Sequence, residues 1–206
     1  MTWRGEVTTA QIFVYGSLTQ GMVHYRKIES YILDSTPASI QGSAYRLQVG
    51  FPVVVKSGEH RIFGQLLTIN LSESLLSILD EWHGYRPLMP EKSLHIREKV
   101  QVHLGSGELR LAETYFYQDK HLPKHAELII DGDWQTAMKT QPALIDQLTE
   151  KQIHYVKKLG QASGREIVPI NDLALYRELM KMNLIVDKGR RLALSKLGRE
   201  LFHYLA

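Results

Sequence analysis

The first 130 residues alternate short apolar segments with turn residues. Segments rich in β-branched and aromatic residues predict strands at residues 11–15, 49–56, 62–70, 96–104 and 109–117. The fourth segment places mostly apolar residues on one face and wholly polar residues on the other, as a half-buried strand does. Gly105-Ser106-Gly107 then predicts a hairpin turn into the fifth segment.

One helix interrupts these strands. Ser72 precedes a segment in which Leu75, Leu76, Ile78 and Leu79 share one helical face, and Gly84 predicts its end. Strands that follow one another without regular helical crossovers favour an α+β fold. We therefore expect a mixed or closed sheet with flanking helices.

Beyond Pro142 the apolar period becomes helical. Thr149 to Gln152 has the spacing of a capping box and predicts a helix as far as Gly160, with Ile153, Val156 and Leu159 inward. A second predicted helix begins at residues 171–172 and carries Leu173, Tyr176, Leu179 and Met180 inward. Apolar segments 184–186 and 192–194 then predict a hairpin. Ser195 caps a last predicted helix, which continues through Leu197, Leu201 and Leu205. This order predicts a small winged-helix-like α/β module at residues 142–206, after a first domain at residues 1–141.

Charge divides the chain in the same way. The 206 residues are 44% hydrophobic and have a net charge of +3, which is typical of soluble globular proteins. Residues 151–206 contain 11 Lys and Arg and 5 Asp and Glu, so their net charge is +6. The other 150 residues contain 14 basic and 17 acidic residues, so their net charge is −3. The basic excess belongs wholly to the last quarter of the chain, so any nucleic-acid partner is expected there.

The absence of cysteine limits the available chemistry. It excludes disulfides, thiolate nucleophiles and cysteine zinc sites, so catalysis would depend on carboxylates, histidines, hydroxyls or backbone dipoles. His121 and His125 have helical spacing, but Pro123 between them breaks that helix, and we expect no metal and no cofactor. No apolar segment has the length of a membrane span and none follows Met1 as in a signal peptide, which favours a cytoplasmic protein without membrane partners.

The segment most suggestive of chemistry runs from Phe13 to Leu18. Here a strand leads directly into a glycine turn, where the backbone N–H groups of Gly16, Ser17 and Leu18 lose their ladder partners and can converge on a carboxylate or an oxyanion. An ordinary strand followed by a tight turn would have the same sequence. Ser17 is not expected to be a nucleophile, because no acid or histidine is tied to it by a sequence pattern.

Several segments, taken in order, carry a resemblance to a known family: residues 13–18, 42–47, 51–55, 63–69 and 79–85, Arg97, residues 115–117 and residues 132–134. Together they resemble the γ-glutamylcyclotransferase-like, or avirulence-induced-gene-like, family over about residues 10–138. The resemblance implies a small mixed β-barrel with flanking helices and a pocket at its mouth. It also implies an acyl transfer in which the α-amino group of a γ-glutamyl compound attacks its own γ-carbonyl, releasing an amine and 5-oxoproline without metal or cofactor.

The resemblance also implies site residues. Tyr15, Gly16, Ser17 and Leu18 would bind the substrate, Arg97 would lie nearby, and Tyr115 or Tyr117 would donate a hydrogen bond from the facing strand. These seven residues are the predicted binding residues.

The chain departs from the family at one decisive position. His83 occupies the place of the family's acid/base glutamate. A neutral histidine can move the same proton, so His83 is the predicted catalytic residue, and Glu81 is expected to point elsewhere. The alternative is a changed or lost reaction in a retained pocket. The protein would then be a non-catalytic ligand sensor or scaffold.

The basic C-terminal module has two interpretations. Lys188, Arg190 and Arg191 fall at the predicted hairpin tip, where a winged helix would contact phosphates, and Lys157 and Lys158 lie on the first helix. The second helix offers few side chains able to read bases. Docking to a protein partner through a solvated basic face is therefore favoured over specific DNA binding.

Overall fold

The computed structural model describes residues 8–22, 24–163 and 166–205. They form two compact units, the first within Met1–Leu47 and Phe51–Gln141 and the second within Gln48–Gly50 and Pro142–Ala206. The N-terminal segment considered above for a signal peptide lies outside the described residues. No helix of the described ranges is long and apolar enough to cross a membrane.

The first unit is built on a closed sheet. Its strands are β1 Thr9–Val14, β2 Ile32–Arg46, β3 Pro52–Asn70, β4 His95–Leu104, β5 Leu109–Tyr117 and β6 Glu127–Leu128. The order is β3-β1-β5-β4-β2, and β2 also pairs with β3, so five strands close into a barrel with β6 added beside β2. Among the strand pairs of the described residues, β1 and β5 alone run parallel. With helices α1 Tyr25–Ile28, α2 Glu73–Trp82 and α3 Trp134–Thr140, this confirms the predicted α+β barrel.

Two apolar layers stabilise this unit. Buried residues from all five barrel strands, among them Phe13, Ile40, Leu66 and Phe116, pack together inside the barrel. A second cluster lies outside, where β1, β3 and β5 contact α1 and α2. Strand β1 contributes to both layers and is buried on both faces, as is usual for a parallel strand under helices.

The sequence pattern is misleading at two places along this sheet. Strand β2 was not predicted, because its first half contains Asp34, Ser35 and Pro37, residues that seldom form strands alone but here pair with β3. Strand β3 was predicted as two strands. The β2–β3 register jumps from Gly42↔His60 to Ser43↔Val55, so the turn-like residues 56–59 bulge from a strand that continues.

The capped helix α2 follows its sequence pattern. The Ser72 hydroxyl accepts a hydrogen bond from the Leu75 amide at 3.1 Å, and Gly84 has the positive φ of 58° that ends the helix. Leu75 and Leu79 are fully buried, as predicted. The end of this helix therefore has a defined position relative to the barrel.

The second unit contains α4 Glu150–Gln161, α5 Leu173–Lys181, a hairpin of β7 Ile185–Asp187 and β8 Leu192–Leu194, and α6 Lys196–Leu205. The predicted capping box is present, with Thr149 and Gln152 each bonding the other's backbone amide.

The predicted apolar positions of this unit were only partly right. Leu197, Leu201 and Leu205 are buried as predicted. Leu173 and Met180 were predicted inward but are 59% and 36% exposed, because α4 and β7 cover only the Leu179 side of α5. The winged-helix assignment stays a prediction.

A buried hydroxyl links the parallel strands. Thr114 of β5 is fully buried and its hydroxyl donates to the Phe13 carbonyl at 3.0 Å. We expect Thr114→Val to lower the free energy of unfolding by about 1–2 kcal/mol, because it removes this donor in a solvent-free position. Urea unfolding followed by circular dichroism measures the change. Thr9→Val, at the exposed start of β1, is the matched control and should change stability by less than about 0.5 kcal/mol.

Candidate functional site

The parallel β1–β5 pair places the carboxyl ends of both strands at one end of the barrel, beside the loop that begins at Tyr15. The Tyr15 hydroxyl donates to the Tyr115 carbonyl at 2.9 Å and accepts from the Val54 amide at 3.3 Å. Burial raises the pKa of Tyr15 far above its ordinary value. This phenol therefore ties the loop to the barrel and has its donor and acceptor already in use.

The loop continues as a 3-10 turn over Gly16–Leu18. Gly16 has a φ of 62°, and a Cβ atom there would lie 2.6 Å from the ring of Pro52. The turn is closed by Thr19, whose amide and hydroxyl both donate to the Gly16 carbonyl. The amides of Gly16 and Ser17 begin the turn, so they have no partner within it. Leu18 is buried against the helices outside the barrel.

The structure places a histidine beside Ser17 that the sequence analysis missed. His24 Nδ1 lies 2.9 Å from the Ser17 hydroxyl, and the His24 amide donates to the Ser17 carbonyl at 3.0 Å. The His24 ring stacks on Trp82 with centroids 5.0 Å apart and planes 25° apart. Burial, and secondly the charge of Lys27, lower the pKa of His24 below its ordinary value, so the imidazole is neutral at physiological pH.

His83 ends α2 and is held by two contacts. Its Nδ1 lies 2.7 Å from the Leu79 carbonyl, and its ring stacks on Tyr115 with centroids 3.8 Å apart and planes only 4° apart. A carbonyl oxygen can only accept, so Nδ1 carries the hydrogen and Nε2 carries the lone pair. Burial lowers the pKa of His83 to about 4. The hydrogen bond to the Leu79 carbonyl raises this pKa, and His24 lowers it slightly, but burial has the largest effect.

Tyr115 connects His83 to an ion pair. Its hydroxyl donates to Asp80 Oδ1 at 2.5 Å, and Arg97 Nη1 donates to the same carboxylate at 3.0 Å. Arg97 Nε also lies 3.5 Å from Glu113. Burial, followed by the bond to Asp80, raises the pKa of Tyr115 well above its ordinary range. The predicted donor to the substrate thus has its hydroxyl engaged by Asp80, and its ring supports His83.

Tyr117 reaches His83 through a second histidine. The Tyr117 hydroxyl donates to the His121 carbonyl at 3.3 Å, and its ring meets the edge of His95. His95 Nδ1 in turn donates to the backbone carbonyl of His83 at 2.6 Å. His24, Trp82 and His95 are therefore neighbours of the predicted site that no periodic pattern reveals, because each joins it across a turn or another strand.

Two of the cavities in the described part of the chain share residues with this arrangement. One of about 310 Å³ is lined by Gly16, Thr19 and Gln65 among others. A cleft of about 520 Å³ is lined by Asp80, Glu81 and Arg97 among others. Among the contacts of the described residues, none joins a carboxylate to His24 or His83.

The remaining predicted residues lie in the second unit. Lys188, Arg190 and Arg191 are exposed in the turn between β7 and β8. The turn is closed by the Lys188 amide, which donates to the Arg191 carbonyl, and by the Gly189 amide, which donates to Asp187. Lys188, Arg190 and Arg191 together are called the cationic tip, and they belong to a different unit from His83.

The barrel, its glycine turn and the order of its motifs define the class of protein. The model of the family described as γ-glutamyl cyclotransferase, AIG2-like, matches residues 12–136, and the chain belongs to that family. No curated protein sequence matches the chain.

The solved structures to which this chain is similar are distant from it in sequence. YkqA from Bacillus subtilis is 20% identical with a TM-score of 0.48, over 66% of this chain and 44% of YkqA. An AIG2-like protein from Mus musculus is 20% identical with a TM-score of 0.42, over 58% of this chain and 87% of its own. At5g39720.1 from Arabidopsis thaliana is 21% identical with a TM-score of 0.47, over 75% of this chain and 92% of its own. The chain thus spans less than half of YkqA.

The environment of His83 predicts its titration. We expect the His83 ring to stay neutral, with its hydrogen on Nδ1, from pH 8 down to about pH 5, because burial lowers its pKa to about 4. Nitrogen chemical shifts of the labelled imidazole measure both protonation and tautomer. The same protein in urea is the control and should titrate near the unperturbed value of about 6.5.

The sign of the stability effect follows. Between about pH 4 and 6.5 the unfolded chain binds a proton at position 83 that the folded chain does not, so this residue makes stability rise with pH in that interval. A His83 ring that protonates near pH 6.5 in the folded protein would contradict this description of the site.

Proposed function

We propose that the barrel binds a γ-glutamyl or amino-acid-like small molecule and cyclises it to 5-oxoproline with release of an amine, using His83 as the base. The observation that carries this proposal is the state of His83. Its Nδ1 is bonded to Leu79 and its ring is stacked on Tyr115. Among the described residues no hydrogen bond is given to its unprotonated Nε2, which would therefore serve the substrate.

The basicity of His83 suits this role. A pKa of about 4 is close to that of an unperturbed glutamate, about 4.3, so neutral His83 accepts a proton about as readily as an unperturbed carboxylate would. What His83 lacks is negative charge. It can take a proton from the α-ammonium group, but it does not pair with that group electrostatically.

The reaction needs a folded substrate, two proton movements and a stabilised oxyanion. The loop supplies backbone amides at Gly16 and Ser17 for the anionic parts of the substrate and its intermediate. His83 removes one ammonium proton, and the freed amine attacks the γ-carbonyl. The bond from that carbon to the leaving nitrogen breaks as His83 returns the proton to it, and the ring nitrogen of 5-oxoproline gives its second surplus proton to the solvent. In this scheme Tyr15 and Tyr115 are positioning residues, the first for the loop and the second for His83. Arg97 fixes Asp80, and Asp80 fixes Tyr115.

Release of 5-oxoproline tests this proposal. A panel of γ-glutamyl amines and γ-glutamyl amino acids is incubated with the protein between pH 5 and 9, and 5-oxoproline is measured by chromatography. We expect turnover of at least one substrate and a loss of about a hundredfold or more in His83→Gln, because the amide is no base. His125→Gln, in an exposed loop of the same unit, is the matched control and should keep full activity.

His83→Glu distinguishes the base from its charge. A carboxylate at this position would add the missing partner for the ammonium group, so activity should rise. No product from any substrate at any pH would overturn the cyclisation, and unchanged activity in His83→Gln would remove His83 from the reaction.

The second candidate is a non-catalytic ligand sensor or scaffold. One observation favours it: the nearby carboxylate of Asp80 is neutralised by Arg97 and Tyr115, which leaves a substrate ammonium group without a charged partner among the contacts described at His83. Saturable binding of γ-glutamyl compounds by calorimetry, without 5-oxoproline, would support this role.

For the second unit we propose docking through its cationic tip. Lys188, Arg190 and Arg191 project from a short closed turn, where they can contact the acidic surface of a protein or the phosphates of a nucleic acid. Replacing all three by Gln should abolish such binding.

A gel shift with duplex DNA and with RNA at 20 to 200 mM salt separates these partners. A shift that salt weakens and the triple variant loses would support nucleic acid. No shift at low salt would leave an acidic protein surface as the partner. Replacement of Lys151 and Lys196, two exposed lysines of the same unit away from the tip, is the matched control.

A further inference from the structure

Ser17 and His24 have the geometry of a nucleophile and its base. The Ser17 hydroxyl lies 2.9 Å from His24 Nδ1 and is only partly buried. We propose that Ser17 is an acyl-accepting nucleophile activated by His24, so that the barrel also hydrolyses γ-glutamyl amides through an ester on Ser17. This inference rests on the proposed function in one respect, the γ-glutamyl acyl group of the substrate. The Ser17–His24 pair itself does not require His83 to act as a base.

The position of His24 is fixed on three sides. Its backbone amide bonds the Ser17 carbonyl, its Nδ1 faces the Ser17 hydroxyl, and its ring lies on Trp82. Lys27 lies over the same indole, 5.2 Å from its centroid. In Ser-His-Asp enzymes a carboxylate orients the imidazole. Here the Trp82 ring and the Ser17–His24 backbone bond give that orientation, and Trp82 directly precedes His83 in the chain.

The ring of His24 is also in the protonation state that a base requires. Its environment keeps it neutral at physiological pH, so Nδ1 can take the hydroxyl proton once the hydrogen lies on Nε2. Burial disfavours a positive charge on the ring, and Lys27 opposes it as well. Transfer of the proton from His24 to the leaving group is therefore favoured after each attack.

The atoms of the reaction balance without a cofactor. Ser17 Oγ bonds to the γ-carbonyl carbon while its proton passes to His24. The bond from that carbon to the leaving nitrogen breaks, and the nitrogen takes the proton from His24. Water then attacks the ester, giving one proton to His24; the ester bond breaks, and Ser17 recovers the proton from His24. The products are the free amine and a γ-carboxylate.

A substrate with a blocked α-amino group isolates this activity. N-acetyl-γ-glutamyl-p-nitroanilide cannot cyclise, because its nitrogen is acylated, whereas attack by Ser17 is unaffected. We expect the protein to release p-nitroaniline from this compound, and release should fall about a hundredfold or more in Ser17→Ala and in His24→Gln. Ser106→Ala, at the exposed tip of the β4–β5 hairpin, is the matched control and should be unchanged.

A second measurement does not depend on turnover. An alkyl fluorophosphonate should label Ser17, which peptide mass spectrometry identifies, and labelling should be about tenfold or more slower in His24→Gln. Circular dichroism of each variant checks that the barrel has folded. A variant that fails to fold is replaced by Ser17→Gly or His24→Asn.

The outcomes separate this inference from cyclisation. Release of 5-oxoproline from γ-glutamyl-p-nitroanilide, with no release from the blocked compound and no label on Ser17, would overturn the inference and leave cyclisation standing. Release of p-nitroaniline from the N-acetylated compound, with no 5-oxoproline from γ-glutamyl-p-nitroanilide, would support the inference and overturn cyclisation. An unlabelled Ser17 with neither substrate consumed would overturn both.

Discussion

The candidate site depends on the parallel pairing of β1 with β5. The other pairings of the described barrel strands are antiparallel, and two of them, β2–β3 and β4–β5, join consecutive strands. The parallel pairing instead joins the first strand to the fifth, with Ile12 opposite Glu113. It closes the barrel and turns the ends of both strands the same way. The Gly16 turn and Tyr115 are thereby brought together, and the bonds from Tyr15 to Tyr115 and from Thr114 to Phe13 cross this seam.

The electrostatics of the site follow from what that seam buries. Tyr115 lies between two different environments. Its hydroxyl belongs to the Asp80–Arg97 ion pair, and its ring face covers His83. One side therefore holds paired charges, whereas the other holds the His83 imidazole, whose pKa burial lowers to about 4. Burial also lowers the pKa of His24. Such a site can accept protons without carrying a charge of its own, which suits acyl transfer better than the binding of ions.

The two units differ in what their residues could reveal in advance. In the second unit most structure is local, and local signals were reliable: the capping box at Thr149 and the buried Leu197, Leu201 and Leu205 are as predicted. The prediction of the buried face of α5 was wrong, because the exposure of Leu173 and Met180 depends on which elements cover the helix. In the barrel, β2 was missed for the same reason, since its polar first half forms a strand only by pairing with β3.

By itself, the sequence determined the α+β class, most of the strands, both ends of α2, the Gly16 turn and the absence of cysteine chemistry. These depend on period, capping and composition, which act over a few residues. The role expected of His83 came instead from the resemblance to the γ-glutamylcyclotransferase-like family. Tertiary structure alone decided that His24 meets Ser17, that the Tyr115 hydroxyl serves Asp80, and that the His83 ring is neutral with its lone pair on Nε2. The first two depend on contacts across 7 and 35 residues. The tautomer of His83 depends on a contact with Leu79, four residues earlier, and its neutral state depends on burial against the barrel.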